Sequence, residues 1–177
     1  MKKGDKRGRG KKGQQMMSMP FGVLFSIILI IVFIVVAVIV VKHFLGLQKC
    51  SEISIFMKDF QDNIDKVWKS SSRSETFPVS LPSGIREVCF VDFNGSVGAK
   101  YSDVRTRYGF YEPNFFFYPP EEACEVSYYT FRHINVSEAI EREGNPFCIE
   151  NTRDDSNKNN IKISKGFYES LVKIEKS

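Results

Sequence analysis

Phe21 to Val41 reads FGVLFSIILIIVFIVVAVIVV, a run of 21 residues with no charge and nothing more polar than Ser26. At about 1.5 Å rise per residue it makes roughly 31 Å of helix, against a hydrocarbon core of about 30 Å. Ile and Val disfavour helix in water, but in lipid every peptide group must be bonded within its own segment, which imposes helix. The stretch therefore predicts a transmembrane helix over 19–42, dividing the chain into two unequal parts on opposite sides of a membrane. A secretory signal has an apolar core of about 7 to 15 residues followed by a small-residue cleavage site. Here the core is longer and Lys42 to Leu47 offers no such site, so the segment is expected to be retained.

Charge is distributed unevenly about this segment. Residues 1–13 hold seven Lys/Arg and one Asp, a net +6, so the remainder of a chain with total charge +4 carries −2. A basic flank beside a span stays in the cytoplasm, which assigns 1–18 as a cytoplasmic tail and the C-terminal part to the outside. Nucleic-acid binding by the tail is not expected, because no aromatic residue precedes Phe21 to stack on bases. Gly8 to Gly13 matches G-x-G-x-x-G literally, but no strand precedes it and a membrane helix follows, so no dinucleotide site is read there. A lipid-modified Cys50 is disfavoured by the bulky Lys49 before it.

The four cysteines, Cys50, Cys89, Cys124 and Cys148, all follow the span. An even number in an oxidising compartment predicts two disulfides, with three pairings open. Zinc is the rival, but the chain has no C-x-x-C pair, and His133 is the only histidine well away from the membrane.

Beyond Lys42, apolar residues recur at Ile53, Phe56, Phe60, Ile64 and Val67, with Lys58, Asp59, Asp62, Asp65 and Lys66 on other faces. Steps of three and four predict an amphipathic helix over 43–70, continuous with the span, that needs a folded body to cover its stripe. Ser18 and Pro20 suit the first turn. Gly22, Ser26 and Ala37 fall along one face of the span, a candidate surface for close helix packing and hence for like subunits.

From 71 to 177 the composition changes to short runs rich in Val, Ile, Phe and Tyr: Phe77 to Leu81, Glu87 to Phe93, Asn114 to Tyr118, Tyr128 to Val136, Pro146 to Asn151, Ile161 to Ser164 and Glu169 to Glu175. Turn residues separate them, as at Pro82-Ser-Gly84, Asn94-Gly95, Pro119-Pro120, Gly144-Asn-Pro146 and Lys165-Gly166. The fold class expected is α+β, a long N-terminal transmembrane and amphipathic helix packed on a C-terminal antiparallel β-sheet head. In the aromatic run Phe115-Phe116-Phe117-Tyr118, alternation sends Phe115 and Phe117 inward and leaves Phe116 and Tyr118 as candidates for an exposed protein contact.

No catalytic constellation is apparent, and no cofactor is implied. G-x-S-x-G, H-E-x-x-H and a Walker loop are missing, and His43 and His133 are the only histidines. The carboxylate pairs Glu121-Glu122, Glu141/Glu143 and Asp154-Asp155 read as solvated loop charge. Asp155 to Asn160 opens like a calcium loop, but Asn160 stands at the sixth position and Gly166 at the twelfth, where Gly and a bidentate Glu belong, so no metal site is assigned. Asn94-Gly-Ser96 and Asn135-Val-Ser137 fit the N-glycosylation sequon, which has meaning only outside the cytoplasm.

A basic N-terminus ending Lys11-Lys12-Gly13-Gln14, a long apolar helix running into an amphipathic one, and a β-rich head together resemble a type IV pilin-like protein, especially the archaeal kind. The resemblance covers the signal, the anchor and the layout, while the head carries no motif of the family. It implies processing by a prepilin peptidase between Gly13 and Gln14, and packing of the mature helix against like subunits in a filament. The fifth residue after that cut, commonly Glu in major pilins, is Ser18, which points to a minor or accessory subunit. The expectation is a non-enzymatic, single-pass protein of the cell membrane. An unprocessed anchored binding module, such as an adhesin or surface-complex component, is second, and an anchored hydrolase third.

Overall fold

The computed structural model describes residues 18–151 and 159–177. It divides into two units, between Gly46 and Leu47. One α-helix, α1 (Ser18–Trp68), contributes to both.

In the first unit, the side chains of α1 from Phe21 onward are exposed on all sides of the helix, from Leu29 at 40% to Phe21 at 73% among its large apolar residues. A helix apolar all round has no aqueous face. It is long and apolar enough to cross a bilayer, as the composition predicts.

In the second unit the end of α1 buries the predicted stripe: Ile53, Phe56, Phe60, Ile64 and Val67, joined by Met57, are nearly inaccessible. They meet two four-stranded sheets. The strands are β1 (Arg73–Pro78), β2 (Glu87–Phe90), β3 (Phe115–Tyr118), β4 (Tyr128–Tyr129), β5 (Ile134–Asn135), β6 (Phe147–Glu150), β7 (Asn160–Lys165) and β8 (Val172–Lys176). One sheet runs β1-β7-β8-β5, with β5 parallel to β8 and the other pairs antiparallel; the other runs β4-β3-β2-β6 and is antiparallel throughout. The α+β expectation holds, with the strands divided between two sheets.

Alternation decides which face each strand buries. Ile161 and Ile163 of β7, with Val172 and Ile174 of β8, point into the main core, as do Val88, Phe90, Phe115, Phe117, Phe147 and Ile149 of the second sheet. Phe60 sits among the rings of Phe56, Phe77, Phe90 and Phe131, at centroid distances of 6.1, 5.2, 5.8 and 4.9 Å. The opposite face of the second sheet is buried too, in a smaller core of Cys89, Val91, Phe93, Tyr101, Val104 and Phe116. The short helix α2 (Ser102–Tyr108) contributes Val104 to that core. A third helix, α3 (Ser137–Glu143), buries Ala139.

The stretch Tyr128 to Val136 is not one strand, as its composition suggests. It supplies β4 to one sheet and β5 to the other, and the chain breaks between them at His133, whose φ is +65°. There Asn114 replaces a neighbouring strand: its carboxamide donates to Phe131 O at 2.7 Å and accepts from Phe131 N–H at 2.8 Å. Asn145 does the same for Asp92, at 2.6 and 3.1 Å. Asn151 accepts from Leu81 N–H at 3.1 Å and donates to the carbonyls of Leu81 and Ile85 at 3.1 and 2.9 Å. Buried peptide groups need partners wherever the ladder stops, and these side chains supply them.

Candidate functional site

The cysteines form two disulfides, Cys50–Cys124 and Cys89–Cys148. Cys89 and Cys148 stand opposite one another in the register of β2 and β6, on the face that α2 covers. Cys50 on α1 is tied to the loop after β3, and the Lys49–Glu122 ion pair joins the same two segments. The lysine holds the Glu122 carboxyl below its usual value. Glu87 lies near Cys89 and Cys148 in a grouping with metal-ligand proximity, but both sulfurs are consumed in the disulfide. Its carboxylate is also engaged, by Lys100 at 2.6 Å and by the Tyr101 hydroxyl at 2.7 Å. Burial, followed by that carboxylate, pushes the Tyr101 phenol up.

The aromatic contact expected at Phe116 and Tyr118 does not reach the surface as a pair. Phe116 is fully buried rather than exposed beside Tyr118, because α2 and Tyr101 cover the face that a two-layer reading leaves to solvent; the Phe116 and Tyr101 rings are 5.7 Å apart. Tyr118 is half-buried, with Tyr101 at 5.1 Å. Different aromatics reach solvent. Phe110 and Tyr111 are 93% and 61% exposed after α2, and Phe167 and Tyr168 are 72% and 96% exposed in the turn between β7 and β8. Each pair meets edge to face, at 5.8 and 5.1 Å. Their only sequence signal is an aromatic pair beside Gly109 or Gly166, away from any alternating apolar run.

His133 is held by three partners. Its ring lies flat on Trp68 at 3.7 Å, its Nδ1 is 3.1 Å from Asp65 Oδ1, and its carbonyl accepts from Val172 N–H. Burial pushes the Asp65 carboxyl up, but hydrogen bonds from His133 and Gln61 outweigh it and hold the group below its usual value. Concavities among the described residues of the head include three of note. One of about 310 Å³ runs along α1 past Ser54, Met57, Gln61, Val126 and Tyr129. One of about 570 Å³ lies over β1, β7 and β8, where Lys162 and Lys173 are paired with Glu175, Glu138 and Glu169. The third, about 190 Å³, is walled by Phe93, Asn94, Pro113 and Val136. His133 belongs to the wall of none of these three.

On the apolar half of α1, Gly22, Ser26 and Ala37 are exposed; the Ser26 hydroxyl donates to Gly22 O at 2.9 Å, and nothing lies within 4 Å of a Cβ built on Gly22. The sequons divide. Asn94 is exposed in a turn that follows β2, and Asn135 is half-buried in β5. Gly13 and Gln14 lie outside the described residues, as does most of the calcium-like stretch from Asp155 to Asn160. No protein-family model matches the chain, and neither a curated protein nor a solved structure does.

Proposed function

We propose that this chain is a membrane-anchored subunit of a surface assembly, pilin-like in layout, with its basic tail in the cytoplasm and its disulfide-bonded head outside. One observation carries the reading: a helix apolar on every side leads directly into a head whose four cysteines are all oxidised. Disulfides persist in oxidising compartments, and a basic flank stays inside. The role is structural rather than catalytic. In support, His133 is engaged by a ring, a carboxylate and the backbone, and in the concavity of about 570 Å³ Lys162 and Lys173 pair with Glu175, Glu138 and Glu169, Arg73 pairs with Glu75, and Lys165 donates to the carbonyls of Trp68 and Ser70. Like subunits would meet along the face of Gly22, Ser26 and Ala37, where small side chains permit close approach.

Intact-mass and N-terminal analysis of protein purified from its own membranes tests this. The expected terminus is Gln14, restored to the full-length form by Gly13→Phe. An uncleaved terminus in cells with active prepilin peptidase rules out the pilin-like reading. A second reading, an unprocessed binding module, is favoured by the pairs Phe110/Tyr111 and Phe167/Tyr168, since solvent-facing aromatics are enriched in contact surfaces. It keeps the same anchor and orientation and predicts the uncleaved terminus.

A further inference from the structure

The two sequons are equivalent as tripeptides and unequal in the fold. Asn94 stands in a turn fastened from behind. Its N–H donates to Asp92 Oδ1 at 2.9 Å, Gly95 N–H donates to Asp92 O at 3.2 Å, and the carboxamide of Asn145 grips the Asp92 peptide from both ends. These bonds use the backbone and leave the Asn94 side chain exposed, with no hydrogen bond to any described residue; Ser96 is exposed beside it.

Asn135 lies in β5, in register with Lys173 of β8. Its carboxamide oxygen accepts the N–H of Ser137 at 3.1 Å, and Ser137 is both the third residue of the sequon and the first of α3. The middle residue, Val136, packs against the main core, and Ala139, the third residue of α3, is 1% exposed. To present Asn135 to an enzyme, the chain would have to give up the β5–β8 pairing, the Asn135–Ser137 bond and the burial of Val136. Presenting Asn94 costs none of these.

We propose that Asn94, and not Asn135, accepts an N-linked glycan on the folded head, from a lipid-diphosphate-linked saccharide. In the transfer, Asn94 Nδ2 bonds to the anomeric carbon of the donor sugar, and that carbon's bond to the diphosphate oxygen breaks. The electron pair leaves on the lipid diphosphate, and one amide proton passes to a base of the transferase. Asn94 borders the concavity of about 190 Å³, where Phe93, Pro113 and Val136 alternate with Asp92, Glu112 and Asn114, so the first sugar lies at its mouth against walls that are part apolar and part polar. The inference rests on the extracytoplasmic assignment of the head.

The test is glycopeptide mapping and intact mass on full-length protein from the membranes of its own cells, with disulfide state and protease accessibility measured on the same preparation. The expected result is one glycan mass increment, on the peptide containing Asn94. It is lost in Asn94→Gln and in Ser96→Ala and kept in Asn135→Gln. A glycan on Asn135, alone or with Asn94, overturns the proposal, as does an unmodified Asn94 in protein whose head is oxidised and open to external protease. Free thiols together with a protected head would instead remove the extracytoplasmic assignment on which it rests.

Discussion

At the scale of single residues, the contact among Asp65, Trp68 and His133 shows how a solvent-side cluster can fasten two segments. His133 adopts a left-handed backbone conformation, which costs an L side chain about 1–2 kcal/mol and glycine nothing comparable. Its ring stack and hydrogen bond contribute about 1 kcal/mol each, together at least as much as this cost, and glycine adds an entropy loss on folding of about 0.5–1 kcal/mol. Urea unfolding of the full chain in detergent should therefore rank wild type above His133→Gly, and His133→Gly above His133→Ala by about 1 kcal/mol. Equal midpoints for the two variants would mean that the positive φ carries no cost. The Asp65 carboxylate gives a second prediction. A carboxyl held below its ordinary value stabilises the fold once pH exceeds the unfolded-state value, and that stability is lost as pH falls through the folded-state one. Wild type should then outlast Asp65→Asn at pH 7, and the gap should close on acidification below about pH 4. A gap that persists at pH 2 would assign the effect to packing.

At the scale of elements, the head half of α1 is the surface on which the main core assembles. Phe60→Ala removes a ring enclosed by four others and should cost about 3–5 kcal/mol, while Ile55→Ala, on the open side of the same helix, should change the unfolding midpoint little. Asn151 tests the substitution of side chain for strand. Its loss in Asn151→Ala leaves the N–H of Leu81 and the carbonyl of Ile85 without the partners that the carboxamide supplied, beside side chains 1% and 3% exposed. A destabilisation of about 1–3 kcal/mol is expected, against less than about 0.5 kcal/mol for an exposed polar residue such as Asp59. Such asparagines cannot be recognised in advance, because the peptide groups they satisfy lie 17 to 70 residues away. The short helices α2 and α3 were hidden for a related reason. Each buries few residues, so neither shows the repeated apolar spacing by which the end of α1 was legible.

At the scale of the molecule, the disulfides close separations of 74 and 59 residues. Linking residues so far apart restricts the unfolded chain, and removing either pair by double Cys→Ser substitution should lower stability by about 2–4 kcal/mol. Cys50/Cys124 removal should also free the loop after β3 from the start of the head, seen as faster amide exchange at Ala123 and Val126, which pack in or against the main core. Unchanged exchange there would show that Lys49–Glu122 and packing hold the loop unaided. The exposed apolar half of α1 predicts that the intact protein resists alkaline carbonate extraction and requires detergent; release by carbonate would contradict membrane insertion.

Local order in the chain was sufficient to locate the apolar span, the buried stripe from Ile53 to Val67, most of the short strands and the confinement of the cysteines to one side of the span. These features are written as runs and periods, and a run or a period is complete within its own segment. Tertiary structure alone decided that Cys50 meets Cys124, that α2 closes over Phe116, that His133 divides one apolar stretch between two sheets, and that one sequon is free while the other is built into a strand and a helix. Each of those outcomes depends on which distant segment arrives alongside, and the energy of that meeting belongs to pairs of segments rather than to either one.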